Sequence, residues 1–148
     1  TMLDKAKQYI QPLDALHRVE FVLADVDQLK TEQTYDAALS ILVTHFVPYA
    51  QKLNFFKAID SRLKQHGVFI GFDLTAIKTD QERGMLQHIC ETNGLSTAQS
   101  TAMLSRLADD FYPLSEQETF EQLSLAGFGS VQRFTQILSY QGFIALKV

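Results

Sequence analysis

The stretch that decides the fold runs from Tyr35 to Asp73: YDAALSILV at 35–43, QKLNFFKAIDSRLKQHG at 51–67 and VFIGFD at 68–73. Ala37 to Val43 is an almost unbroken apolar run, the pattern of a strand covered on both faces in a parallel sheet. Leu53, Phe56, Ile59 and Leu63 recur at helical spacing and give the middle segment one apolar face. Gly67 stands where a helix is expected to end, and Val68 to Phe72 reads as a second buried strand closing at Asp73. Strand, helix and strand in this order form a β-α-β crossover, which is right-handed almost without exception. In open α/β sheets ligands sit beyond the carboxyl ends of the strands. Those ends are Ser40 to Phe46 and Phe72 to Leu74, and the chemistry is expected there.

Upstream, Met2 to Ile10 reads as a short amphipathic helix closed by Pro12, and Glu20 to Leu23 (EFVL) as a short strand followed by the acidic loop 24–27. Leu29 to Tyr35 reads as a polar linker. Downstream, Gln81 to Thr92 and Thr97 to Phe111 are predicted helices separated by Asn93-Gly94, with 81–112 expected to form a helical lid over the strand ends. Ser115 and Glu118 have the spacing of a capping box, opening a helix that runs to Ala126 and stops at Gly127. Val131 to Ile137 and Phe143 to Lys147 alternate around Tyr140-Gln141-Gly142, the mark of a β-hairpin.

With 148 residues, 46% of them hydrophobic and 20% charged, the chain reads as one globular domain spanning 1–148. The net charge of -4 and the lack of a dense basic run give no signal for DNA, although a local patch for RNA stays open. A single cysteine, Cys90, precludes an internal disulfide and points to a reducing cytoplasm. No apolar run approaches the ~20 residues of a membrane helix. The four histidines show no metal-ligand spacing with one another or with Cys90.

Five segments, in order and in register, resemble the class I S-adenosylmethionine-dependent methyltransferases. Thr1-Met2-Leu3 with Ala6 is similar to the family's S-x-x-M-L-x-x-A helix, and FVLADVDQL at 21–29 to its acidic strand-end segment. YDAALSILVTHF at 35–46 resembles the strand beginning F-D-x-V, and RLKQHGVFIGFD at 62–73 the r-L-k-P-G-G strand entry, with Pro and one Gly replaced. LSEQETFEQLSLAGF at 114–128 resembles the helix ending in A-G-F before the final hairpin. The ending, Arg133 to Lys147, faintly resembles the group acting on tRNA wobble uridine. The resemblance implies a Rossmann-like α/β sheet, mostly parallel with a C-terminal antiparallel hairpin, whose full strand order is 3-2-1-4-5-7-6. It also implies that the first strands and the glycine-rich loop would precede Thr1. The chain is thus expected to be N-terminally incomplete, truncated, and able to hold at most half of a cofactor site.

The expected function is methyl transfer from S-adenosyl-L-methionine to a small-molecule or RNA acceptor. The resemblance implies that Asp25 and Val26 flank the adenine, that Ser40 and Ile41 line the methionine side, and that Met2 packs on adenine or ribose. The alternatives are a solvated loop carboxylate beside Asp27 for Asp25, strand core for Ser40 and Ile41, and helix core for Met2. His45 and Tyr49 lie past the strand end, where either could position or deprotonate an acceptor oxygen or nitrogen; a hydrogen-bonded structural role is the alternative for His45. Asp73 at the same rim is a candidate for orienting a substrate amine, or else caps a helix. Two other classes compete. One is a non-catalytic interaction module that binds a partner through an exposed apolar edge at Ala37 to Val43, the same edge along which a second copy is expected to pair as a homo-oligomer. The other is a dinucleotide-binding oxidoreductase, against which the hairpin after A-G-F argues.

Overall fold

The computed structural model describes residues 1–29 and 32–148. It divides into two compact units, Thr1–Lys30 and Thr31–Val148. In the first, α1 (Met2–Ile10) opens on Thr1, whose side chain and that of Asp4 form a reciprocal capping box. Short 3-10 turns follow at Gln11–Leu13, Leu16–Arg18 and Val26–Gln28. The expected strand at Glu20 to Leu23 is not formed. An extended segment becomes a strand only when its N–H and C=O groups find a ladder partner, and none is present among the described residues of this unit. Residues 30 and 31 of the expected polar linker lie outside the described residues.

The second unit contains β1 (Tyr35–Ile41), α2 (Tyr49–Arg62), β2 (Leu63–Leu74), α3 (Asp80–Thr92), α4 (Thr97–Asp109), α5 (Glu116–Ala126), β3 (Phe128–Ile137) and β4 (Tyr140–Lys147). The four strands form one sheet in the order β1-β2-β4-β3. β1 and β2 run parallel, whereas β4 is antiparallel to both β2 and β3. The hairpin turns at Leu138-Ser139, ahead of the expected Tyr140-Gln141-Gly142. Phe56 and Ile59 of α2 and Leu123 and Ala126 of α5 are buried, as are Phe69, Phe128, Phe143 and Ala145 of the sheet. Rings join the layers: Phe56 meets Phe69 at 6.0 Å, and Phe69 meets Phe128 at 5.7 Å between centroids. A second cluster, Leu74, Leu86, Leu104 and Leu107, forms where α3 and α4 pack.

Two expectations are corrected in the central unit. The first apolar strand is not covered on both faces: β1 lies at the sheet edge, with Leu39 68% and Ile41 49% exposed. Apolar content marks the strand, but burial depends on which strands pair. Gly67 also does not end the helix. α2 stops at Arg62 and β2 starts at once, pairing Leu63 with Tyr35 and Val68 with Ala37. Lys64 to Gly67 therefore bulge opposite Asp36 alone, with His66 left-handed at φ 62. A Cβ on Gly67 would come within 2.8 Å of the Lys64 carbonyl oxygen, so close packing of the bulge requires glycine there.

Candidate functional site

The parallel pairing sets the carboxyl ends of β1 and β2 side by side, Ile41 opposite Phe72. Leu42 then turns out of the sheet in a left-handed conformation, φ 56, while its N–H donates to the Phe72 carbonyl at 2.8 Å. Such a backbone costs a non-glycine residue roughly 1–2 kcal/mol. The following amides compensate by converging on Asp73: Val43 N–H and Thr44 N–H reach Oδ2 at 3.2 and 2.5 Å. Oδ1 of the same carboxylate accepts from Leu74 N–H at 2.8 Å and meets His45 Nδ1. His45 and Asp73 are each 7% exposed. Asp73 thus caps the 3-10 turn Thr44–Phe46 from across the sheet and fixes the His45 ring.

The loop is held from its other side by Lys52, whose ammonium donates to the Thr44 carbonyl at 2.6 Å. Its side chain is 1% exposed. Burial pushes this amine down to about 8, with the negative charge of Asp73 opposing the shift. The His45 carbonyl accepts from Tyr112 N–H at 2.7 Å, and its ring packs on Phe46 and Phe111 at 4.2 and 4.9 Å. Tyr49 opens α2 and donates its hydroxyl to the Pro113 carbonyl at 3.1 Å. Its pKa is raised by burial and then by the charge of Glu118, so the phenol is protonated at neutral pH.

Two cavities adjoin this network. The smaller, about 30 Å³, is lined by His45, Lys52, Asp73 and Thr75 among aromatic side chains and has room for a water or two. The larger, about 240 Å³, lies where the chain leaves β2 and is lined by Tyr49, Ile77, Arg83, Phe111 and Pro113 among others. The expected residues are therefore distributed. Tyr49 faces the larger space and His45 the smaller. Ser40 is buried, its hydroxyl 3.4 Å from that of Thr44, and Ile41 is half exposed at the end of β1. Within Thr1–Lys30, Met2 is 84% exposed on α1, Asp25 caps the turn Val26–Gln28 without a side-chain bond, and Val26 is half-buried. Sequence reasoning missed Lys52, Thr44 and Arg83. Lys52 had a signal, since it shares the helical stripe of Phe56 and Ile59 and is buried with them.

The sheet order β1-β2-β4-β3 matches the 4-5-7-6 portion of the order implied by the sequence resemblance. A family profile described as a methyltransferase domain matches residues 1–71. Carboxy-S-adenosyl-L-methionine synthase of Pseudomonas aeruginosa is 28% identical, over 98% of this chain and 62% of its own length. An O-methyltransferase family 2 protein of Planctomyces limnophilus, solved in complex with apigenin, superposes with TM-score 0.70 at 14% identity, over 99% of this chain and 40% of that one. The chain has the Rossmann-like fold of the class I methyltransferases. Magnesium protoporphyrin IX methyltransferase of Synechocystis, solved with bound SAH, shares this methyltransferase fold with TM-score 0.62 at 18% identity, over 99% of this chain and 59% of that one. The chain spans 59 to 62% of the length of the curated relatives it matches. No helix among its described residues is long and apolar enough to cross a membrane.

Proposed function

We propose that this chain serves S-adenosyl-L-methionine-dependent methyl transfer to an oxygen or nitrogen of a small-molecule or RNA acceptor. The observation that supports the reading is the clamped loop at the paired carboxyl ends of β1 and β2, beside a 240 Å³ pocket. The donor supplies a methyl group already activated on a sulfonium, so the protein's share of the work is placement and exclusion of water. Ser40 and Ile41 line the methionine side in this proposal. Asp25, Val26 and Met2 keep the adenine-facing and ribose-facing roles that the family resemblance implies. The chemistry of Asp25 fits: its carboxylate makes no hydrogen bond among the described residues and is available to an exocyclic amine.

On the acceptor side, Tyr49 stands in the pocket wall as a protonated phenol and orients the acceptor, while Phe111 and Pro113 keep water out. His45 and Asp73 act on the reaction through the loop they lock, not by removing a proton. The test is calorimetry of the chain with S-adenosylmethionine and S-adenosylhomocysteine. Both are expected to bind, and D25A to weaken binding about tenfold, the effect of one charge-assisted hydrogen bond. No heat with either ligand overturns the proposal and leaves the interaction-module reading, which the open β1 edge with exposed Leu39 and Ile41 favours.

A further inference from the structure

We infer that the 240 Å³ pocket binds a small carboxylic acid, its carboxylate held by Arg83 and its apolar body packed against Phe111 and Pro113. This rests on the preceding reading for the pocket's role as an acceptor site, but not for its affinity.

Arg83 lies in the first turns of α3, and its Nη1 donates to the Leu104 carbonyl of α4 at 3.3 Å. That single bond fixes the guanidinium against the α3–α4 pair. A guanidinium carries five N–H donors, and the remaining four find no protein acceptor among the described residues. Its neighbour Glu82 is engaged elsewhere, accepting from Lys78 N–H at 2.9 Å and from the Ser139 hydroxyl at 2.8 Å. Arg83 is the sole charged residue lining the pocket among the described residues.

The other polar groups at the pocket already have partners. Thr75 gives both its amide and its hydroxyl proton to the Ser139 carbonyl, each at 2.7 Å. Ala76 N–H donates to the Leu114 carbonyl at 3.0 Å, and the Tyr49 hydroxyl is held by Pro113. Charge recognition therefore falls on Arg83. A half-buried guanidinium has lost part of its water, and an anion restores those hydrogen bonds. Its planar fork matches a carboxylate two-to-two, and one cation balances one negative charge. A phosphate dianion would leave an uncompensated charge against Leu107, Phe111 and Ile77. The volume lies below the roughly 300–1,000 Å³ of drug-sized sites, which limits the body to about one ring or a short chain.

The test is NMR titration of the whole chain with benzoate, benzyl alcohol and benzylamine, following the amides of Thr75, Ile77 and Phe111. Benzoate is expected to bind about tenfold more tightly than the alcohol and more tightly still than the amine. R83Q should reduce benzoate to the level of the alcohol, and R83K should keep part of the preference. Equal affinity of the wild-type chain for benzoate and benzyl alcohol overturns the assignment, whether or not R83Q folds. So does a folded R83Q that retains the benzoate preference. No methyl donor is present, so acid binding without S-adenosylmethionine binding would defeat the reaction reading alone, and the converse would defeat only the pocket's specificity.

Discussion

The ε-amine of Lys52 lies against the Thr44 carbonyl with its side chain 1% exposed, and it titrates at about 8 instead of 10.5. Between those two values the unfolded chain binds a proton that the folded chain does not. Folding stability must therefore rise with pH across this window, by roughly 3 kcal/mol if the whole displacement is realised. Above about 10 the opposite trend sets in, because burial raises the phenols of Tyr49 and Tyr140 and the unfolded chain loses those protons first. Urea unfolding from pH 7 to 10 should show the rise in the wild-type chain and a flat profile in K52M. An equal slope in both would place the titrating group elsewhere. At this scale the sequence was partly legible. His45 and Asp73 were expected at the strand ends, but their mutual contact was not, because 28 residues separate them. The left-handed Leu42 and His66 gave no sign, since neither is a glycine or an asparagine.

The crossover β1-α2-β2 was readable because its signals are local: an apolar run, a helical stripe, then a second run. The capping box at Ser115 and the hairpin after Gly127 were legible for the same reason. What local pattern could not carry was the detail set by neighbours. The bulge at Lys64 to Gly67 exists because β2 meets Tyr35 before Ala37, and a lone glycine looks the same at a helix end as in a bulge. The close approach at Gly67 gives a direct test. G67A should lose about 1–3 kcal/mol in chemical denaturation, the usual cost of overpacking. A variant as stable as the wild type would mean that the bulge can relax away from Lys64 and Asp36.

Over the whole molecule the sheet order was legible only through the family resemblance, since no periodicity says that β4 lies inside and β3 outside. The larger pocket was also unreadable. Its wall is built from Tyr49, Arg83 and Phe111, three segments brought together only by folding. The inner place of β4 makes it the strand on which the sheet depends, because its backbone pairs with β2 on one side and β3 on the other. Removing 140–148 should abolish the cooperative thermal transition seen by far-UV circular dichroism, since β2 and β3 have no ladder in common. A sharp melt in the shortened chain would show that the remaining elements hold together unaided.

The same inner strand follows its two neighbours in sequence. On a ribosome adding about 5–20 residues per second, β2 emerges well ahead and waits with a bare edge for the β3–β4 hairpin, whose inner strand must pair with it. For that interval the nascent chain exposes an unpaired strand edge to chaperones, and a translational pause anywhere between Leu74 and Tyr140 would lengthen it.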